Sequence, residues 1–478
     1  MLLLLVNTTK YLKILIFSYL LCCFAMAEPN TNTMVASKEG LFANGLENFG
    51  IKLYANLAAS NRGKNLIFSP FSIQTCAAMA RLGAEGSTAT ELDQGLNLVT
   101  GDLDAMADLY HNVLSQYEKS DILKIANKIY VQKDYEVQDE YNKLLNEKFF
   151  SKAEEINFSS NVEAAKAINS WVALKTNNRI QDLISAGSLN SDTRLILLNA
   201  IHFKGEWVHK FPERSTRDKD FYLDENNTIK VPMMRVEQRF RYGSLTQLDA
   251  TILEMDYKDS DLSMLIILPN SRTGLKDLEE KLKTTSLKEI MSGMFATKVI
   301  VEIPKFKAEF EVELQNAFKE LGISRMFGPQ AEFGKMLKSA EPLQVSKVVH
   351  KAFIEVNEKG TEAAAATGLS LQMKKAAKYE FIADHAFLYQ IIGKRQETTI
   401  LSFFMGSIKE IENRSIQNRR KRDVTQSTDI KEFIADHPFI YQIVHRSSKL
   451  SILTLFMGSI NKDIQAPIES ETKIHNEL

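Results

Sequence analysis

Residues 358–375 read Glu358-Lys359-Gly360-Thr361-Glu362-Ala363-Ala364-Ala365-Ala366-Thr367-Gly368-Leu369-Ser370-Leu371-Gln372-Met373-Lys374-Lys375. Four consecutive alanines suggest a short helix, since alanine has the best helix propensity. With a period of two, a different order emerges. Thr361, Ala363, Ala365, Thr367, Leu369 and Leu371 fall on one side, and none of them is charged. Glu362, Ala364, Ala366, Gly368, Ser370 and Gln372 fall on the other. This is the alternation of a half-buried strand. The segment is suited both to life as an exposed loop and to a place in a sheet.

No Gly/Ser-rich or Pro-rich linker divides the chain around it, from residue 28 to about 410. Helical periodicity dominates the first third, at 40–59, 73–82, 102–117 and 162–174, and strand-like runs follow at 195–203, 251–257, 263–269 and 298–304. Helices first and mostly antiparallel strands later predict one mixed α+β domain. With 44% hydrophobic and 25% charged residues the chain can fill a large core. Its 59 Lys+Arg and 60 Asp+Glu nearly cancel, so no global field points to nucleic acid or an anionic membrane.

The first residues have the pattern of a signal peptide, expected at 1–27. Lys10 and Lys13 precede the apolar run 14–24, and Ala25-Met26-Ala27 supplies a small-x-small cleavage pattern before Glu28. About eleven apolar residues fall short of the roughly 20 that span a bilayer, so a secreted chain without a membrane anchor is expected. Cys22 and Cys23 leave with this peptide, so Cys76 has no partner within the mature chain. Its apolar helical setting predicts a buried structural thiol.

The C-terminal part holds a repeat. Glu380-Phe381-Ile382-Ala383-Asp384-His385 recurs at Glu432-Phe433-Ile434-Ala435-Asp436-His437, and Phe404-Met405-Gly406-Ser407-Ile408 at Phe456-Met457-Gly458-Ser459-Ile460. The offset is 52 throughout, with about 17 of 29 positions identical. Two copies at one end cannot build a solenoid, so this is a local duplication. The polar segment between the copies shows no apolar periodicity and is expected to be exposed.

The Glu-Lys-Gly-Thr-Glu-Ala-Ala pattern resembles the hinge of the inhibitory serpins. Further motifs follow in serpin order: Asn65-Leu66-Ile67-Phe68-Ser69-Pro70-Phe71-Ser72, Ile168-Asn169-Ser170-Trp171, Leu198-Asn199-Ala200-Ile201-His202-Phe203-Lys204-Gly205-Glu206-Trp207, Ile303-Pro304-Lys305-Phe306 and Val349-His350-Lys351-Ala352. The chain is thereby identified as a member of that family over about 38–408. His202, where an aromatic residue is usual, and Asn178, in place of a common glycine, depart from the pattern.

The resemblance implies the α+β serpin fold, with three β-sheets, eight or nine helices and an exposed reactive-centre loop at about 358–380, in a serpin domain of 28–410. It implies a monomeric suicide inhibitor of serine proteases rather than an enzyme, with no catalytic set, metal or cofactor. A protease cuts the loop, which then inserts as a new antiparallel strand and traps the acyl-enzyme. The hinge residues would be Glu358, Gly360, Thr361, Glu362, Ala363, Ala364, Ala365 and Ala366, small and uncharged on the entering face because a buried unpaired charge costs several kcal/mol. Non-inhibitory relatives, used as binders or for storage, carry bulky or charged residues there. Family spacing places the scissile bond between Lys374 and Lys375, and a long cation suits the acidic pocket of trypsin-like enzymes. The pairs Asp384-His385 and Asp436-His437 would be structural.

Arg419-Arg420-Lys421-Arg422, before Asp423, fits the pattern cut by furin-like convertases, whose clefts are acidic. It lies in the expected linker 411–431, ahead of the second copy at 432–478. The chain ends His475-Asn476-Glu477-Leu478, close to an endoplasmic reticulum retention signal. This resembles insect secreted serpins with alternative C-terminal ends, one of them furin-directed with a retention tail. Here two such ends stand in tandem. The first copy follows the loop at family spacing, so 380–408 is expected in the core and 419–478 outside it. Asn157, Asn226 and Asn413 head glycosylation sequons.

Overall fold

Capping chemistry marks where the chain turns helical. Ser69 Oγ accepts the Ser72 N–H at 3.0 Å with Pro70 at the first helical position, and Asp102 accepts the N–H groups of Asp104 and Ala105. The structure, a computed structural model, describes residues 37–61, 66–99, 101–360, 379–395, 399–409, 439–446 and 453–459. Among these residues are nine α-helices: α1 (Lys38–Ser60), α2 (Pro70–Gly83), α3 (Gly86–Gly95), α4 (Leu103–Tyr117), α5 (Asp139–Phe149), α6 (Asn161–Lys175), α7 (Leu275–Leu282), α8 (Leu287–Ser292) and α9 (Gln315–Glu320). The strands are β1 (Leu66–Phe68), β2 (Leu123–Gln132), β3 (Ala153–Ile156), β4 (Leu195–Phe203), β5 (Arg217–Tyr222), β6 (Thr228–Leu245), β7 (Ala250–Asp256) and β8 (Leu262–Pro269). After them come β9 (Phe295–Pro304), β10 (Phe306–Glu313), β11 (Val345–Val356), β12 (Tyr379–Ile382), β13 (Phe387–Arg395), β14 (Thr399–Ile408), β15 (Phe439–Arg446) and β16 (Leu453–Ser459).

A five-stranded sheet has the order β10-β11-β4-β2-β3. The larger sheet runs β1-β14-β13-β15-β8-β7-β6-β9-β12, with β5 on β6 and β16 on β15. Two of the three expected sheets are continuous through β6, whose 18 residues pair with β5 at the start and with β7 at the end.

Strand β4 explains why the small sheet is buried on both faces. Leu195, Leu197, Ile201 and Phe203 enter the main core with α1 and α2. Ile196, Leu198 and Ala200 face Ile168 and Val172 of α6 in a second cluster. A strand covered on both sides reads as a continuous apolar run, and Leu-Ile-Leu-Leu-Asn-Ala-Ile-His-Phe is one, broken only at Asn199 and His202. Cys76 behaves as expected: burial pushes its thiol up to about 12, and it sits in α2 with Sγ 3.5 Å from the Leu198 carbonyl. Asn178 has φ +59°, a left-handed conformation that asparagine tolerates as glycine does.

The second C-terminal copy is expected outside the core, and the register of its first strand differs from that. The second C-terminal copy does not stand apart from the sheet. Strand β15 pairs with β8, placing Ile443, Val444 and His445 opposite Met264, Ser263 and Leu262. Those three residues of β8 also face Ile391, Ile392 and Gly393 of β13. The shared sequence is the reason, because the same alternation of apolar residues suits the same edge.

Candidate functional site

The segment expected to be the hinge begins where β11 ends. Asn357 and Gly360 exchange backbone hydrogen bonds of 2.8 and 3.2 Å, closing a tight turn that reverses the chain. Gly360 also bridges to Glu206, just beyond the end of β4, and the Trp207 N–H donates to the Lys359 carbonyl at 3.0 Å. Its φ is +148°, and a Cβ there would lie 2.1 Å from the Gly205 carbonyl oxygen, so only glycine fits.

Several side chains hold this turn. Trp207, 1% exposed, stacks on Tyr257 at 4.4 Å and donates its indole N–H to the Asn357 carbonyl at 3.0 Å. Glu358 is buried. One of its carboxylate oxygens accepts from Thr216 at 2.9 Å, the other pairs with Lys305 at 2.9 Å, and its carbonyl accepts the Phe211 N–H. The start of the loop is thus anchored at one end of the small sheet.

Below the turn, β4 and β11 lie side by side and parallel, from Leu195 opposite Val345 to His202 opposite Phe353. A chain that turns back after β11 runs antiparallel to both strands. Gly360 therefore stands at the mouth of the β4–β11 seam, aimed along it.

A buried polar cluster ties the seam shut at mid-height. Asn127 of β2, Asn199 of β4 and His350 of β11 are in register. The Asn199 amide donates to Ser72 Oγ and Asn127 Oδ1, and its carbonyl accepts from His350 Nδ1. The Ser69 N–H donates to His350 Nε2 at 3.3 Å, which places the imidazole proton on Nδ1 and makes the ring neutral. Burial agrees, pushing the His350 pKa down to about 3. On the other face, α6 is pinned over β2 by Lys128, which pairs with Glu154 at 2.7 Å and lies 5.3 Å from the Trp171 ring.

The structure brings Glu358 and Gly360 together with Trp207, Thr216 and Lys305. Thr361, Glu362, Ala363, Ala364, Ala365, Ala366, Lys374 and Lys375 lie outside the described residues, as do Arg419, Arg420, Lys421, Arg422, Asp423 and Asn413. His385 is engaged structurally, with Nε2 2.7 Å from the Pro269 carbonyl and Nδ1 2.7 Å from Asp384. His202 is buried beside Phe353, and burial lowers its pKa to about 4. Asn127 escaped the sequence reading. Its signal was a polar residue inside the largely apolar run of β2.

The family described as serpin (serine protease inhibitor) matches residues 44–411, most of the chain. The chain is a serpin. This serpin is similar to serine protease inhibitor 42Dd of Drosophila melanogaster, 38% identical over 360 residues that cover 75% of this chain and 94% of the relative. Antitrypsin of Bombyx mori is 36% identical over 355 residues, 74% and 90% of the respective chains. Among solved structures, cleaved Serpin 42Da matches with a TM-score of 0.71 at 46% identity, covering 90% of this chain and all of that one. The protein therefore belongs to a family of protease inhibitors and not to a family of enzymes.

Proposed function

We propose that this serpin is a secreted suicide-substrate inhibitor of trypsin-like serine endopeptidases, with Lys374-Lys375 as the bait bond. The observation that supports it most is the turn at 357–360, which reverses the chain at the mouth of the β4–β11 seam. In the reaction, the protease serine attacks the Lys374 carbonyl carbon. The Lys374–Lys375 amide breaks, the Lys375 nitrogen takes the proton from the protease histidine, and an ester joins Lys374 to the enzyme. The freed strand then enters the seam from Gly360 onward, carries the enzyme with it, and distorts it before water can cleave the ester. The small faces of Thr361, Ala363, Ala365 and Thr367 suit that passage.

Secretion rests on the leader at 1–27. No helix among the described residues is long and apolar enough to cross a membrane. Asn157 and Asn226 are exposed and open to glycosylation, with Asn413 as a third acceptor. Arg419–Arg422 makes furin-like convertases a second target class, and the last four residues a route to retention in the endoplasmic reticulum.

Incubation with trypsin followed by denaturing gel electrophoresis tests the reading. A covalent band is expected, absent in Lys374→Ala. Clean cleavage with no such band, or a band that persists in Lys374→Ala, would contradict it.

A further inference from the structure

The edge of β8 has two claimants. Ile391, Ile392 and Gly393 of β13 face Met264, Ser263 and Leu262, and Ile443, Val444 and His445 of β15 face the same three residues in the same order. Each pair of equivalents is separated by the 52-residue offset of the repeat. Tyr441 and Gln442 stand level with Tyr389 and Gln390.

The equivalence extends to the hairpins as wholes. Within the first, Leu388 pairs with Ser407 and Ile392 with Ser402, and the register shifts between Ile391 and Ile392. Within the second, Ile440 pairs with Ser459 and Val444 with Thr454, and the register shifts between Ile443 and Val444. Even the irregularity recurs at its equivalent place. Strand β14 accepts either first strand in one register, with Ile408 opposite Phe387 or Phe439 and Ser407 opposite Leu388 or Ile440.

A strand edge offers one row of N–H and C=O groups, so two backbones cannot both satisfy it. The place must nevertheless be filled, because Phe387, Tyr389, Ile391 and Ile392 are all fully buried. The second copy supplies matching residues, with Ile440 for Leu388 and Val444 for Ile392 as near-isosteric exchanges.

We propose that the edge of β8 is a docking site for which the two C-terminal hairpins of this chain are interchangeable, mutually exclusive occupants. The serpin then exists as two isomers. In one, β13 and β14 are seated. In the other, β15 and β16 are seated, and the connection from β11 to the seated hairpin is longer by 52 residues. This inference goes beyond the inhibitory reading and does not depend on which bond a protease cuts.

The test uses the full chain and three variants: Ile391→Asp, Ile443→Asp and the double substitution. A carboxylate at either position bars that hairpin from the core. Each single variant is expected to keep a cooperative melt within about 5 °C of the parent, because the other hairpin takes the place. Of the two competing strands, hydrogen exchange should then show protection at 439–446 and not 387–395 in Ile391→Asp, and at 387–395 and not 439–446 in Ile443→Asp. The double variant should lose the cooperative transition. If Ile391→Asp alone unfolds as fully as the double variant, or protection never appears at 439–446, the second hairpin is not an occupant. A double variant that melts like the singles would equally overturn the proposal.

Discussion

At Gly360 a single missing methyl group permits the reversal that starts the loop. Alanine there would press Cβ against the Gly205 carbonyl and the Glu206 backbone at a positive φ. Gly360→Ala is therefore expected to cost about 1–3 kcal/mol, read as a lower denaturant midpoint, and to slow trapping. An unchanged midpoint would mean that the turn is not fixed by this contact. His350 makes a second test at the same scale. Its folded pKa of about 3 lies below the ordinary histidine value, so the fold favours the neutral ring. Stability from this group is complete above about pH 6.5 and is lost as pH falls toward 3, by up to about 5 kcal/mol. Protonation would put a second N–H against the Ser69 N–H and unlatch the seam. Glu47, raised to about 7 by burial, acts in the opposite sense, since its contribution fades as pH rises. Comparing wild type with His350→Gln cancels such background. The difference in unfolding free energy should shrink as the pH is lowered from 7 to 4, and a difference independent of pH would contradict the assignment.

At the scale of elements, the loop's period-two pattern makes a claim about kinetics. If the loop enters between β4 and β11 as proposed, Thr361→Arg places a cation on the entering face, where desolvation costs several kcal/mol. Insertion slows while deacylation does not, so the variant should be turned over as a substrate with little covalent complex. Wild-type yields of complex would rule out strand insertion at this face. Much of the architecture was legible from periodicity. The helix read at 40–59 appears as α1, and the run 195–203 is β4, because both carry strong local apolar patterns. What was hidden depends on contacts distant in sequence. Glu358 was recognised by its motif, but its partners Thr216 and Lys305 lie far away in the chain. Asn127 acquires its meaning only from the register that sets it beside Asn199. The first copy follows the loop at the shorter spacing, but the second carries the same edge-binding sequence, so chain length alone does not decide which hairpin meets β8.

At the scale of the whole molecule, the proposed function implies a sheet that is one strand short of its most stable form. The five-stranded sheet is joined at its centre by the parallel β4–β11 pair and by the polar latch at Asn127, Asn199 and His350, and under the proposed function this is the seam that the loop would enter. An inserted strand would gain backbone partners on both sides along about a dozen residues. At roughly 1 kcal/mol per net hydrogen bond gained over the β4–β11 ladder, and about 1 °C per kcal/mol in a domain of this size, the gain should raise the melting temperature by about 10 °C or more. The measurement that tests this most directly is calorimetry of the intact protein beside protein cut in the reactive loop and freed of protease. The cleaved form is expected to melt well above the intact one. A cleaved form that melts at the same temperature or lower would show that the loop does not enter the sheet.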